Sequence, residues 1–95
     1  MAAYVIVDLD VKNPTAYESY RREVPATIAK YGGRFLVRGG NVEVLEGDWT
    51  PKRVVVLEFP NMDALRRWYR SDDYKPLIAQ RQRAAAGNVI AVEGA

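Results

Sequence analysis

Residues 31–47 read YGGRFLVRGGNVEVLEG, the stretch that decides the fold. Two glycine pairs, at 32–33 and 39–40, bracket a short apolar run that ends in one charge, Arg38. A short apolar run bounded by glycines is typical of a β-strand, and glycine within a strand usually marks a bulge or a bend. We therefore predict one long strand that bends at 39–40 and pairs again over 42–45.

The segment before this stretch predicts a strand and then a helix. Residues 3–11 are rich in β-branched side chains, which favour a strand. Asn13 followed by Pro14 is typical of a helix start, and apolar residues then recur at steps of three or four up to residue 31. Pro25 lacks a backbone donor, so we expect a kink or a short break in this helix. The glycines at 32–33 should end it, one of them in the left-handed cap conformation.

The segment after residue 47 predicts a strand, two helical stretches and a closing strand. Residues 53–59 (RVVVLEF) form the second strand of an antiparallel pair. Asn61 caps a helix, and Ser71 begins a further helical pattern that continues to residue 86. Gly87 and Asn88 should stop that helix. Residues 89–92 then close the sheet.

The predicted order of elements is βαββαβ, which defines the fold class. This is an α+β, ferredoxin-like arrangement with a four-stranded antiparallel sheet and the helices on one face, built as a single domain over residues 1–95. Three of the four strands carry apolar residues on both faces. An uncovered apolar sheet would be too large a patch for a monomer. We therefore expect a homodimer that packs sheet to sheet in a dimeric α/β barrel.

Composition removes several classes of chemistry. The chain has no cysteine and no histidine, so it offers no thiolate and lacks the commonest general base and metal ligand. The carboxylate pairs at positions 8 and 10 and at 72 and 73 do not have the pattern of a metal site. We expect neither a metal nor a cofactor.

Charge and hydropathy bear on partners and location. The formal net charge is +2, and the signs are interspersed along the chain. Arginines 66, 67 and 70 predict a solvated helix face, so no nucleic-acid partner is expected. No apolar run approaches the roughly 20 residues of a transmembrane helix, and the N-terminus lacks the features of a signal peptide. A cytoplasmic protein without membrane association is the expectation.

Three runs carry a resemblance to a known family. GGRFLVRGG at 32–40, EVLEGDWTPKRVVVLEFP at 43–60 and WYRSDDYKPL at 68–77 resemble the domain-of-unknown-function family thirteen-thirty, in the dimeric α/β-barrel superfamily. The resemblance extends from residue 4 to residue 94. It implies a ferredoxin-like protomer and a sheet-packed homodimer, in agreement with the expectation from the residues. It implies no particular activity, since fold does not determine function.

Arg38 is the first candidate for a binding residue. Alternation along the strand places it on the same face as Leu36, where a buried guanidinium must either pair with a carboxylate or bind an anion. Glu58, on the neighbouring strand, is the carboxylate within reach. If the two pair, the site is structural. If they stay apart, Glu58 is a weak candidate for a general base with a raised pKa.

The other candidates lie in the helical segments. Trp68 and Tyr74 flank Ser71, where a pocket between the helices and the sheet could open, and buried Tyr and Trp side chains need polar partners. Arg81 follows on the same helical pattern and either faces that pocket or forms a surface ion pair. Arg53 has the same ambiguity. All of these aromatic side chains could instead be packing residues.

Three functional interpretations follow from these residues. The first is a small homodimer that binds a small organic molecule, acidic or aromatic, through Arg38, Trp68, Tyr74 and Arg81. The second is a cofactor-independent monooxygenase or isomerase acting on an activated aromatic, a quinol or a lactone. The third is a structural or interaction dimer without a ligand. The first two require a cavity of roughly 300 Å³ or more between the helices and the sheet.

Overall fold

The computed structural model describes all residues, 1–95, and has the predicted ferredoxin-like architecture. The elements in chain order are β1 (Ala3–Val11), α1 (Pro14–Lys30), β2 (Arg34–Arg38), β3 (Arg53–Phe59), α2 (Met62–Tyr69), α3 (Lys75–Ala84) and β4 (Ala85–Glu93). The four strands form one antiparallel sheet in the order β2-β3-β1-β4. The α+β class and the four-stranded antiparallel sheet are thus confirmed.

β1 lies in the middle of the sheet and supplies the centre of the core. Its alternate residues Ala3, Val5, Val7 and Leu9 are buried, while the residues between them are partly exposed. β3 shows the same alternation, with Val55, Leu57 and Phe59 buried. Since successive strand residues point to opposite faces, the helices cover one face of the sheet.

Helix α1 begins as predicted and is not broken by its proline. The Asn13 side chain accepts a hydrogen bond from the Ala16 amide at 3.1 Å. The helix then continues through Pro25 to Lys30, so the predicted break is wrong. The buried stripe on the rest of the helix holds the segment in place despite the missing backbone donor. Gly32 adopts a φ of 79°, which confirms the left-handed residue after the helix.

β2 is shorter than predicted and bulges earlier. The register shifts between Phe35 and Val37, rather than at residues 39–40, and the strand ends at Arg38. Residues 39–52 contain no helix or strand, so the predicted pairing over 42–45 is wrong. The bulge places Arg38 opposite Val55, on the helix-covered face that Phe35 shares. The predicted common face of Arg38 and Leu36 is therefore also wrong.

The last helix gives way to β4 earlier than predicted. α3 ends at Ala84 and β4 begins at Ala85, where a helix was expected to continue to residue 86. The Ala84 carbonyl accepts the amides of Lys12 and Asn13, both at 2.9 Å. Pairing with β1 thus overrides the helical propensity of the alanines. Gly87 does not stop the helix but lies inside β4, paired with Leu9. The position needs a glycine because a Cβ there would meet the carbonyl oxygen of Asp8 at 2.0 Å.

The face of the sheet away from the helices is open and carries a row of apolar side chains. The register aligns Ile90, Ile6, Val56 and Val37 across all four strands. Ile90 is 56% exposed. None of the helices has the length and apolar character that crossing a membrane would require.

Candidate functional site

A narrow cavity lies between the helices and the covered face of the sheet. Its volume is about 30 Å³, far below the roughly 300 Å³ that the ligand interpretations require, although the space free of atoms reaches about 490 Å³ when the open mouth is counted. Apolar side chains of β1, β3 and α1 form most of its wall, among them Val5, Leu57 and Ile28. The interior is thus neither solidly packed nor wide. A ligand of the size of an aromatic ring would have to move side chains at the mouth.

The polar part of the wall is positive and contains no carboxylate. Its members are arginines and tyrosines from α1, β2, β3 and the α3 region: Tyr17, Tyr20, Arg21, Arg38, Arg53, Tyr74 and Arg81. Charges at the edge of an apolar, poorly hydrated space act more strongly on one another than charges in water do. This wall therefore favours an anion.

Arg81 is the buried member of this set. Its residue is 6% exposed, its Nε atom has no hydrogen-bond partner, and no carboxylate pairs with it. Burial alone would lower the pKa of Arg81, but the neighbouring Tyr74 and Tyr20 outweigh it and raise that pKa above its ordinary value. The guanidinium is therefore charged and lies inside the protein without a counterion.

Tyr20 and Tyr74 form a buried hydroxyl pair beside Arg81. Tyr20 comes from α1 and Tyr74 is the residue before α3, and their Oη atoms are 2.8 Å apart. Burial raises the pKa of both hydroxyls above the usual 10.0, because it disfavours the phenolate form. Both side chains are therefore neutral hydrogen-bonding groups at physiological pH, and neither is a ready base.

Trp68 forms an aromatic wall of the cavity. It is 2% exposed and stacks on Tyr74 with ring centroids 4.1 Å apart. Its Nε1 atom donates to Thr27 Oγ1 at 3.0 Å. The polar atom of the indole is therefore already bonded, and what Trp68 offers to the cavity is ring surface.

Arg38 lies at the mouth of the cavity, held by helix α1. Its Nη2 atom donates to the carbonyl oxygen of Arg21 at 2.6 Å, and its guanidinium lies 4.2 Å from the centre of the Phe35 ring. In a regular helix the Arg21 carbonyl would accept the amide of residue 25, but Pro25 has none. Arg38 thus occupies the acceptor that the proline leaves free.

Arg53 is the second cation at the mouth, and Gly39 makes room for it. Its Nε atom donates to Tyr17 Oη at 3.2 Å. A Cβ on Gly39, whose φ is +71°, would meet Arg53 Nη1 at 2.2 Å. The sequence left the role of Arg53 open. The sequence did contain a signal that Arg53 faces the helices, because in β3 it alternates in step with the buried Val55 and Leu57.

Glu58 lies on the other side of the sheet. Its Oε1 atom accepts from Arg34 Nε at 2.8 Å, and the register sets it opposite Tyr4 and Arg34. The Arg38–Glu58 pair considered from the sequence does not form. Of the residues singled out from the sequence, the structure thus brings Arg38, Trp68, Tyr74 and Arg81 to one cavity and leaves Glu58 outside it.

No group of three or more His, Cys, Asp or Glu residues is arranged so that it could hold a metal ion. The polar groups of the cavity are cationic or neutral donors, which suit an anion and not a cation. The chemistry available at this site is therefore the binding and orientation of a negatively charged molecule by guanidinium and hydroxyl groups.

Comparison by sequence identifies one family. The profile of the family described as Domain of unknown function (DUF1330) matches residues 2–95. No curated protein matches the chain.

Several solved structures share the fold. A protein of unknown function from Rhodopseudomonas palustris is 20% identical with a TM-score of 0.76, over 99% of this chain and 82% of that one. SnoaB, a cofactor-independent oxygenase from Streptomyces nogalater, is 15% identical with a TM-score of 0.67, over 99% and 93%. An antibiotic biosynthesis monooxygenase is 16% identical with a TM-score of 0.55, over 100% and 99%. At these identities the likeness concerns the fold alone.

Proposed function

Because the chain belongs to the family described as Domain of unknown function (DUF1330), whose description leaves the activity open, we propose a function from the site itself. The chain is a single-domain, homodimeric protein that binds a small organic molecule, acidic or aromatic, in the cavity between its helices and sheet. The observation that carries this proposal is an apolar cavity whose charged groups are all arginines.

The ligand-binding residues in this proposal are Arg38, Trp68, Tyr74 and Arg81. Arg38 at the mouth attracts an anion, and Trp68 and Tyr74 supply flat apolar surface. Pockets for small molecules typically combine such apolar walls with a few polar groups that fix orientation. The narrowness of the cavity restricts the ligand to a small, flat molecule that enters as the mouth side chains move.

A thermal-shift screen tests ligand binding. We expect small aromatic acids to raise the unfolding midpoint, since a ligand that binds only the folded state stabilises it by mass action. Arg38→Met should reduce the shift, whereas Arg83→Met, at an exposed position on α3, should not. If no aromatic acid, lactone or quinol shifts the midpoint at millimolar concentration, the ligand-binding function is refuted.

The homodimer in this proposal forms through the open face of the sheet. The row Ile90, Ile6, Val56 and Val37 crosses all four strands on that face, and a second copy would bury it. We expect light scattering to give a dimer at micromolar concentration. Ile90→Glu should produce a monomer, because it would place a charge in the apolar row that the interface buries.

Gln82→Glu is the matched control for the dimer, since residue 82 is exposed on helix α3. It adds the same charge to the helix layer and should leave the dimer intact. A monomeric parent chain would refute the sheet-to-sheet dimer without affecting the ligand-binding function.

The second candidate is a cofactor-independent monooxygenase or isomerase. The cofactor-independent oxygenase SnoaB has the same fold. The cavity wall has no carboxylate, so the substrate would have to ionise by itself, as acidic quinols and enols do, and the arginines would stabilise its anion. Oxygen uptake with a quinol, compared with a reaction lacking the protein, tests oxygenation.

Glu58→Gln tests whether the substrate of such an enzyme ionises by itself or loses its proton to Glu58. Glu58 lies on the open face of the sheet, paired with Arg34. We therefore expect turnover to survive this substitution. Loss of turnover with retained binding would identify Glu58 as the base. The third interpretation, an interaction dimer without a ligand, would show neither binding nor turnover.

The cytoplasmic location stays a prediction.

A further inference from the structure

We propose that Arg81 is the anchor of the cavity and that the natural ligand is a small planar monoanion whose carboxylate or enolate oxygen binds its guanidinium. This inference rests on the proposed ligand-binding function. It specifies in addition the charge of the ligand, how deep in the cavity its charged group lies, and its orientation. The sequence favoured Arg38 for this role, and the burial of the two arginines decides between them.

The three other arginines of the wall are exposed at the mouth or already bonded. Arg38 is exposed and donates to the Arg21 carbonyl, and Arg53 donates to Tyr17. The guanidinium of Arg21 is near Glu18, at 3.5 Å. Arg81 differs because it is 6% exposed, with its Nε atom unbonded and no carboxylate beside it.

An unpaired buried charge is unusual enough to require a cause. Arginine is almost never fully buried without a partner, because removing the cation from water is costly. Buried polar atoms without a hydrogen bond are also rare in folded proteins. No carboxylate of the chain pairs with Arg81, and the tyrosine that hydrogen-bonds to it, Tyr74, is neutral and leaves the Nε atom unbonded. An anionic ligand would supply both the counterion and the hydrogen-bond acceptor.

The hydroxyl pair beside Arg81 supplies a second donor for the same anion. Tyr20 and Tyr74 hold two hydroxyl hydrogens between them, and the 2.8 Å contact uses only one. The other hydrogen is free to bond to a ligand oxygen. One cation and one hydroxyl fit a single negative group. The stacked rings of Trp68 and Tyr74 favour a flat body attached to it.

Benzoate and benzamide are suitable probes because they have nearly the same shape and differ in charge. NMR titration of the full chain should give a Kd at least tenfold lower for benzoate than for benzamide. Arg81→Met should raise the benzoate Kd at least tenfold and change the benzamide Kd less than twofold. Arg83→Met, on the exposed side of the same helix, should change neither.

The unfolding midpoint without any probe gives an independent readout. If the role of Arg81 is to bind a ligand, Arg81→Met should leave that midpoint unchanged or raise it, since the substitution removes an uncompensated buried charge. A midpoint lowered by 5 °C or more in both Arg81→Met and Arg81→Gln would show a structural arginine and overturn the proposal. Arg81→Gln keeps a polar side chain, so it serves if the methionine variant does not fold.

The outcomes also separate this inference from the proposed function. Equal Kd values for benzoate and benzamide, unchanged by Arg81→Met, would refute the anchor while leaving ligand binding intact. No binding of either probe at millimolar concentration would refute the anchor, and a positive thermal-shift screen with other compounds would still support the proposed function.

Discussion

Replacing Pro25 by alanine should release Arg38 from helix α1 and stabilise the protein. Pro25 leaves the Arg21 carbonyl without its helical donor, and Arg38 Nη2 bonds to that carbonyl at 2.6 Å. Alanine restores the backbone N–H. The Arg21 carbonyl then has a donor in the helix, and its bond to Arg38 becomes dispensable.

The size of the effect follows from two terms. Proline inside a helix costs about 3 kcal/mol relative to alanine, and the greater freedom of the unfolded alanine chain returns roughly 0.4–1 kcal/mol of that. Because the helix is unbroken around Pro25, part of the strain is already relieved, and we expect a net gain of about 1–2 kcal/mol. For a chain of this size, each kcal/mol of added stability raises Tm by roughly 4–8 °C.

A double-mutant cycle isolates the link to Arg38. In the parent, Arg38→Met should cost about 1 kcal/mol, less than the roughly 1.5–3 kcal/mol of a buried hydrogen bond from a charged donor, since this one is exposed. In the Pro25→Ala background the same change should cost less than about 0.3 kcal/mol, because the helix supplies the hydrogen bond. Urea denaturation at a fixed protein concentration measures all four free energies.

Arg22→Met serves as the matched control, since residue 22 is an exposed arginine on the same helix. Its effect should be additive with Pro25→Ala. The reasoning fails if Pro25→Ala and Arg38→Met are themselves additive within about 0.3 kcal/mol, the usual limit for independent sites. It also fails if Pro25→Ala destabilises the protein.

Three further predictions follow from the packing. Gly87→Ala should lower the free energy of unfolding by about 1–3 kcal/mol, since its Cβ would lie 2.0 Å from the Asp8 carbonyl oxygen. The control Gly40→Ala, whose Cβ would have nothing within 4 Å, should change that free energy by less than about 0.5 kcal/mol in the same urea assay. Tyr20→Phe should cost about 1–3 kcal/mol because it leaves the buried Tyr74 hydroxyl without its partner, and the double Phe variant should cost less than the sum of the single changes; additive costs would contradict the pairing. Burial raises the pKa of both hydroxyls above 10.0, so the unfolded chain loses these protons first as pH rises. Stability should therefore be intact below pH 10 and fall above it by about 1.4 kcal/mol per pH unit per tyrosine, and the double Phe variant should show a flatter decline if the assignment is right.

The sequence was sufficient where the structure depends on local periodicity. The alternation in residues 3–11 and 53–59 predicted β1 and β3, and the helical stripe predicted α1 from its Asn13 cap onward. Element boundaries were predicted less well where distant pairing competes with local preference. The alanines at 84–86 favour a helix, but two of them pair with β1 and begin β4.

The candidate site was predicted in its residue types and not in its geometry. Trp68, Tyr74 and Arg81 follow from the helical pattern. The position of Arg38 depends on a bulge between Phe35 and Val37 that the glycines at 39–40 did not reveal. A bulge turns every later side chain of the strand to the opposite face, so one misplaced residue moves Arg38 from one face to the other.

By itself, the sequence determined the order of the elements, the face that helix α1 buries and the absence of cysteine and histidine chemistry. These features are properties of composition and of periods of two and 3.6 residues. Only the tertiary structure decided that Arg38 bonds to the carbonyl freed by Pro25, that Glu58 pairs with Arg34, and that Arg81 lies buried without a counterion. Those contacts join residues far apart in the chain, and they are set by the register of the strands and the packing of the helices on the sheet.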